Sequence, residues 1–408
     1  MHVLYVFGSF PDEKHTFINR EIEALRSSGI SISYLVINPY SVETADKSYT
    51  TFSASKNPFS LITRPFINLI KYKKSILFSK SFFEILKASD SNKVGKIRVL
   101  TGLFFIESAL GKVLKSKTQI DQIHVHHLFS AALYLKGLSE KLNTDYSLTI
   151  HTLSHYFKVE ALKQTLQNAR FLRTVTTETQ TYFNRLLQNK QVHFIPNCVD
   201  VGNLPKRNSD SKDLHILAIG YFLDKKGFDV LIKSCKLVQH RFPEFKCTII
   251  GEGPEQQHLE KLISDYQLKR HIQLVPYQSF NNLLPYFMNA TLLAVPSRDP
   301  LRSTRDGLPT VILEAMAIGL PVVASNFAGI PDAIINEETG LLVEPENTEQ
   351  LAGAIIRIKE NNDLAQKLTS NSLHKAETDF SIKINIEKLN ALFHDKNFVT
   401  NTSKTSNL

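Results

Sequence analysis

The chain reads as an α/β protein of two domains, each a parallel sheet covered by helices on both faces. Three observations predict this. Short β-branched runs alternate with helical stretches through both halves of the sequence, the pattern of successive βαβ units. The strands recur at roughly 20 to 30 residues, the length of a strand plus its crossover helix. With 408 residues and 42% apolar content, the chain exceeds one typical core and can fill two, each of roughly 200 residues.

In the first half, strands are expected at 2–7, 31–37, 122–125, 147–150, 172–176 and 192–195, with helices between them. Met1 to Gly8 is too short and too unlike a charged leader to be a signal peptide, and reads as a first buried strand. The stretch 197–213, with Gly202, Pro205, Asn208 and several Ser and Asp residues, has linker composition. Strands of the second half are expected at 214–220, 245–251, 272–275, 292–295, 321–324 and 340–343, and helices near 349–360 and 382–393 close the fold. Domains then fall at 1–200 and 214–380, with a linker at 201–213 and a C-terminal helix with a disordered polar tail over 381–408.

Composition excludes several classes. Cys198, Cys235 and Cys247 are an odd, scattered set that supports neither a disulfide framework nor a zinc site, and a reducing, cytoplasmic compartment is expected. The longest apolar stretch, 99–114, is interrupted by Glu107 and Lys112 and falls short of a membrane span. The net charge of +9 is concentrated: between Lys56 and Lys117 thirteen Lys or Arg face only Glu84, Asp90 and Glu107. Phe59, Ile62, Phe66, Ile67 and Ile70 are interleaved with these cations. Two readings fit, helices lying on an anionic membrane face, which would place the protein on the inner side of the plasma membrane, or an insert packing on its own domain with its lysines solvated. No recognition motif for nucleic acid accompanies the charge.

Most informative is the run from Asp306 through Gly307-Leu308-Pro309-Thr310 to Glu314, followed by Gly319 and Pro321. Pro309 suits the first turn of a helix, where its missing N–H leaves no bond unmade, and the backbone donors of Leu308, Thr310 and Val311 then face an anion. Eight residues of helix separate Asp306 from Glu314 by about 12 Å, too far to flank one scissile bond. The two acids therefore hold different parts of an extended ligand. A sugar nucleotide fits: Asp306 accepts hydroxyls of the hexose, Glu314 accepts both ribose hydroxyls, and the helix start faces the diphosphate. A capped surface helix with Glu314 solvated is the plain alternative, but Glu314 lies between Leu313 and Ala315-Met316-Ala317, where an unpaired carboxylate is costly.

Ligands of such sheets bind beyond the carboxyl ends of the strands. His151 follows the strand ending at Ile150, Gly220 and Lys226 follow the first strand of the second half, and Tyr277 follows Val275. These positions converge on a cleft between the two domains. Lys226 would neutralise a departing diphosphate. His151 reads as a neutral hydrogen-bonding group to the donor sugar or as a satisfied core histidine. His124, His126 and His127 cluster after another strand, but no acidic pair with ligand spacing joins them and no Asp-x-Asp motif exists, so no metal is expected. Gly251-Glu-Gly-Pro254 is explained by a tight turn. Nucleophile-elbow and Gly-Lys-Ser/Thr phosphate-loop motifs are absent.

On these residues, together with the opening segment from Phe10 through Thr16 to Leu25 and Ser147-Leu-Thr-Ile-His151, the chain resembles the retaining glycosyltransferases of family 4. Their fold is GT-B, two Rossmann-like parallel-sheet domains facing a central cleft, and the nearest likeness is to enzymes of bacterial exopolysaccharide assembly of the colanic acid type. The resemblance implies transfer of a hexosyl unit from a UDP- or GDP-sugar to a glycan or lipid-linked acceptor, with retained configuration and no metal or other cofactor. It places the acceptor on the first domain, Thr16 at the substrate, Glu314 at the ribose, residue 306 and His151 at the donor sugar, Lys226 at the diphosphate and 275–277 near the base. Two departures stand out. Asp306 replaces the usual Glu, and Tyr221 replaces the usual Arg, a loss worth about 3 to 4 kcal/mol of transition-state stabilisation unless compensated. Arg298, Arg302 and Arg305 offer guanidinium groups just before Asp306 for the diphosphate or an acidic acceptor. A sugar-nucleotide epimerase of the same architecture and a catalytically weak protein that recruits partners to a membrane are the rival functions.

Overall fold

The computed structural model describes residues 1–9, 16–38, 40–41, 50–77, 93–126, 130–152, 163–207, 213–299 and 307–395, with the side chains at 93–99, 130, 131 and 133 excepted. The chain divides into two compact units. The first comprises Met1–Val175, Thr179–Ile195 and Ile386–Leu408, and the second Thr176–Glu178 and Pro196–Asn385.

The first unit is built on seven strands: β1 (His2–Phe7), β2 (Ser31–Val36), β3 (Thr50–Ser53), β4 (Gln122–His126), β5 (Asp145–Ile150), β6 (Leu172–Thr174) and β7 (Val192–Phe194). Their order is β3-β2-β1-β4-β5-β6-β7, and every neighbouring pair is parallel. Chain order reverses between β1 and β4. Near-continuous burial of β1, β2, β4 and β5 is what a sheet covered on both faces requires. Helix α1 (Thr16–Ser27) inserts Ile18, Ile22 and Leu25 into the core, and Glu21 is buried within the same stripe.

Helix α2 (Pro58–Tyr72) starts at Asn57, whose side chain accepts from Phe59 N and Ser60 N, and stops at Lys73 in the left-handed region. It packs on α3 (Lys93–Ser116). Gly111 permits this approach, since a Cβ there would lie 2.8 Å from Asn68 Oδ1. Glu107 of α3, which the sequence suggests as a charged break in an apolar stretch, is fully buried. Its carboxyl group accepts from Asn68 Nδ2 (2.7 Å), Ser75 Oγ (2.6 Å) and the backbone N–H groups of Ile76 and Leu77. The chain leaving α2 is thus anchored by one side chain. Among the described residues no helix is long and apolar enough to cross a membrane. Helices α4 (Ser130–Leu142), α5 (Lys163–Asn168) and α6 (Thr177–Leu186) follow in chain order.

The second unit holds β8 (His215–Ile219), β9 (Lys246–Ile250), β10 (Ile272–Val275), β11 (Leu292–Val295), β12 (Val322–Ser325) and β13 (Leu341–Val343). The sheet is all parallel in the order β10-β9-β8-β11-β12-β13. Helices α7 (Phe228–Arg241), α8 (Gln256–Asp265), α9 (Phe280–Asn289), α10 (Thr310–Ile318), α11 (Ile330–Ala333), α12 (Thr348–Glu360) and α13 (Asn362–Asp379) complete it. Segment 197–207, of linker composition, is part of this unit: Val199 bridges Ser381, and Arg207 N donates to Ile318 O. The last helix, α14 (Ile382–His394), returns to the first unit from Ile386 on. Cys198, Cys235 and Cys247 are buried.

Candidate active site

In the second unit the chain runs from β8 outward to β10 and then back to β11, so the loops after β8 and β11 diverge from a switch point. That crevice is where ligands of such sheets bind. The loop after β8 passes Gly220 and Tyr221 and makes one 3₁₀ turn over Asp224–Lys226, ended by Gly227 at φ +64°. A Cβ on Gly227 would lie 2.0 Å from the carbonyl oxygen of Pro296, just past β11, so only glycine allows the two loops to touch. The Lys226 stem runs along Gly220, with Cδ and Cε 3.5 Å from where a Cβ would stand. On the other side Gly251 and Gly253 admit the same loop: a Cβ on Gly251 would stand 1.9 Å from Gly220 O, and Phe222 N donates to Glu252 O. The Gly-Glu-Gly-Pro run is therefore a close backbone approach as well as a turn.

Arg298, one of the three guanidinium groups considered for the ligand, is committed elsewhere. It pairs with Asp224 and Asp229, reaches Glu346, donates from Nε to Asp224 O (3.0 Å), and its backbone N–H donates to Lys225 O (3.0 Å). Burial alone would weaken its hold on the proton, but Asp229 and Asp224 outweigh that and the group stays charged. Its fork clamps the turn that carries Lys226. Arg298→Lys, which lacks the planar fork, is expected to lower donor turnover about tenfold with a smaller loss of thermal stability, checked by steady-state kinetics beside a melting curve.

Past β11, Gly307, Leu308 and Pro309 lead into α10. Leu308 is buried, Pro309 takes the N-cap position rather than the first turn, and the helix begins at Thr310 without a side-chain cap from Pro309. Every residue from Val311 to Ile318 is buried, Glu314 included at 4% exposure. Gly319 ends the helix at φ +85°. Gly220 and Lys226 follow β8 and the 307–310 segment follows its neighbour β11, both past the carboxyl edge of one sheet, with Glu314 one turn further along α10. Tyr277 is half-buried after β10, the edge strand, two strand spacings or about 10 Å from β8. Tyr221 is exposed. Asp306, Arg302 and Arg305 lie outside the described residues.

In the first unit, His151 directly follows β5 and is buried. Its Nε2 is 2.9 Å from Nδ1 of His126 at the end of β4. His126 Nε2 is 3.1 Å from Glu21 Oε1, off the line of an aligned hydrogen bond. The other Glu21 oxygen pairs with Arg173 of β6, 1% exposed, whose Nε donates to Ile195 O (2.8 Å). Burial would raise the Glu21 carboxyl, but Arg173 and then His126 and His124 hold it well below the usual carboxylate range. His124 is fully buried and its affinity for a proton is lowered, chiefly by burial and then by His126. Thr16 opens α1, half-buried. Glu21, His124 and His126 bring ligand atoms within 4.8 Å of one another, yet the chemistry does not suit a cation. Both His124 nitrogens are engaged by Ser147 and Thr149, and the Arg173 guanidinium already neutralises the carboxylate. Glu21 and Arg173 escaped sequence reasoning. The signal was present, a carboxylate inside the apolar stripe Ile18-Ile22-Leu25 and a cation in a buried strand, the same criterion that selects Glu314.

Residues 203–375 match the family model described as glycosyl transferases group 1. The amylovoran biosynthesis glycosyltransferase AmsK of Erwinia amylovora is 29% identical over 187 residues, 46% of either chain. The second unit thus resembles the group 1 glycosyl transferases. The chain spans less than half of AmsK's length in that match, whereas an uncharacterized glycosyltransferase of Haemophilus influenzae aligns over 88% of this chain and 93% of its own at 23% identity. HepE of Anabaena, solved in complex with UDP-glucose, superposes with a TM-score of 0.69 at 15% identity over 95% of this chain and 98% of its own. The fold is GT-B, built on two Rossmann-like parallel-sheet units, as the likeness to this solved structure shows.

Proposed function

We propose that this protein is a glycosyltransferase that moves a hexosyl unit from a UDP- or GDP-sugar to a polysaccharide or lipid-linked oligosaccharide acceptor, with retained anomeric configuration and without a metal. The observation that carries the reading is Glu314, a carboxyl group buried in an otherwise apolar helix that follows β11, the strand beside β8 at the switch point. In this reading Glu314 accepts the ribose hydroxyls and Asp306 those of the hexose. Lys226 and the start of α10 stabilise the departing diphosphate, and His151 hydrogen-bonds the donor sugar. The acceptor proton passes to the leaving diphosphate on the same face. HepE, solved with UDP-glucose, and AmsK, a glycosyltransferase of amylovoran biosynthesis, support a sugar-nucleotide donor and a glycan acceptor. The test is a panel of UDP- and GDP-sugars, each with metal chelated, offered with and without a lipid-linked glycan. Nucleotide release that needs the acceptor, with an axial or equatorial product linkage matching the donor, supports the reading; sugar conversion without acceptor refutes it in favour of an epimerase.

An anionic membrane surface is part of the same proposal. Along α2, Phe59, Ile62, Phe66 and Ile70 follow one helical face, 52% to 80% exposed, and Lys71, Lys73 and Lys74 close its end. Apolar insertion plus about 1 kcal/mol per lysine near an anionic surface suits a peripheral protein whose acceptor sits in a bilayer. Sedimentation with phosphatidylglycerol vesicles is expected to capture the protein, with phosphatidylcholine vesicles far less. Ile62→Glu/Ile70→Glu should weaken capture at least tenfold while turnover of a water-soluble acceptor persists.

A further inference from the structure

One face of the second unit's sheet changes character along its strands. On the carboxyl half Leu217, Ile250 and Val275 share a core with Leu283 and Phe287 of α9. Two residues earlier on β8, β9 and β10 the same face carries His215, Thr248 and Gln273, and Lys246 stands beside His215 at the start of β9. The opposite face stays apolar over these rows, with Ile216, Cys247 and Ile272 in the core. A parallel sheet covered on both sides reads as continuous apolar runs, so the polar rows mark a place where the cover is withdrawn. They floor an open groove of about 910 Å³, walled by α9, a volume near the top of the range for ligand pockets. The helix is two-sided in the same way. Leu283 and Phe287 form its core stripe, whereas Asn282, Tyr286 and Asn289, at i, i+4 and i+7, line the groove. Pro285 lies inside the helix on that same wall and has no N–H to give the Asn281 carbonyl, so an acceptor there lacks its helical donor.

The groove is also cationic. Lys246, Lys269 and Arg270 line it, and no Asp or Glu is among the described residues that do. Arg241, Arg298, Arg357 and Lys375 of the same unit each meet a carboxylate; these three cations meet none among the described residues. We propose that the groove is a second binding site, for an acidic glycan, one strand length or about 16 Å from the Gly220 loop. Lys246, Lys269 and Arg270 would meet sugar carboxylates, and the Asn282 and Asn289 amides with the Asn281 carbonyl would meet hydroxyls. The sugar chain rests on the polysaccharide acceptor proposed above, the carboxylates on the groove alone. Other anions fit less well. A lone phosphate or nucleotide is cradled by backbone N–H groups at glycines, and no glycine lines the groove. Single-stranded nucleic acid stacks its bases on successive open rings. Here the His271 ring is stacked on Phe245 at 4.8 Å and His215 Nε2 is 2.9 Å from Thr248 Oγ1, which leaves Tyr286. An acidic peptide would bring carboxylates without the hydroxyls that the amides call for.

Calorimetric titration of the full-length protein with three oligomers of equal length, galacturonate, neutral dextran and poly-glutamate, tests this. Galacturonate is expected to bind at least tenfold tighter than either of the others, and to weaken about tenfold between about 0.05 and 0.3 M NaCl as the charges are screened. Lys246→Gln/Arg270→Gln should lower its affinity about tenfold, and Asn282→Ala/Asn289→Ala about fivefold. All four side chains are exposed, so the fold does not depend on them. Lys261→Gln/Lys383→Gln, the same loss of charge at two exposed positions outside the groove, should leave affinity unchanged. No galacturonate binding overturns the proposal, as do equal binding of poly-glutamate, tighter binding of oligothymidylate, or full affinity in both groove variants. Sugar transfer without galacturonate binding would overturn the groove and spare the transferase, and groove binding in a protein that transfers no sugar would do the reverse.

Discussion

Replacing Glu314 with alanine is expected to lower kcat/KM for the nucleotide sugar by about 10³-fold. Two hydroxyls donating to one carboxylate are charge-assisted bonds of about 1.5 to 3 kcal/mol each, and their sum spans about 10² to 10⁴ in rate. Glu314→Gln keeps volume and one acceptor oxygen and should fall between the variant and the wild type. A second readout separates ligand binding from scaffolding. Donor at 100-fold its Kd stabilises the folded state by about 2.7 kcal/mol, which in a unit of this size raises Tm by about 5 to 10 °C; Glu314→Ala should abolish that shift. If the carboxyl group were only a helix ornament, both the shift and the turnover would survive.

The second large effect is on stability and lies far from any proposed ligand. Glu107→Ala is expected to cost about 4 kcal/mol or more. The substitution removes the acceptor of four donors, Asn68 Nδ2, Ser75 Oγ and the N–H groups of Ile76 and Leu77, and each buried donor left unpaired costs about 1 to 3 kcal/mol. Asn68 and Ser75 could not turn to water, since both are buried. Glu107→Gln should recover part of the loss, because its oxygen still accepts while its amide faces a donor. Calorimetry on the variants checks the order wild type, Gln, Ala. Equal melting points would mean that the chain after α2 is anchored by something else.

Much of the architecture is legible in the sequence because buried parallel strands leave a strong signature. The runs at 2–7, 272–275 and 292–295 coincide with β1, β10 and β11 to the residue. The strand Thr50–Ser53 was invisible, since Thr-Thr-Phe-Ser has one buried residue and sits at the sheet edge. Glu107 misleads in isolation: a carboxyl group in an apolar helix marks a break only if nothing donates to it, and its donors come 30 to 39 residues earlier in the chain. Arg298 misleads for a related reason. Its neighbours in sequence, Arg302 and Arg305, suggested a cationic patch, whereas its partners Asp224 and Asp229 lie about 70 residues away. Polar networks assembled across the fold have no local pattern to read.

The closing helix sets a timetable for synthesis. Its Phe393 packs edge-on against both His124 and Phe171, and the Asp395 carbonyl accepts from Arg170. A nascent chain released as far as Ile195 has all seven strands of its first sheet and still lacks the piece that covers this side of it. At ribosomal speed the missing helix arrives roughly 10 to 40 s later. Until then His124 and Phe171 await their aromatic cover, and the first unit matures only when residues 382–395 emerge.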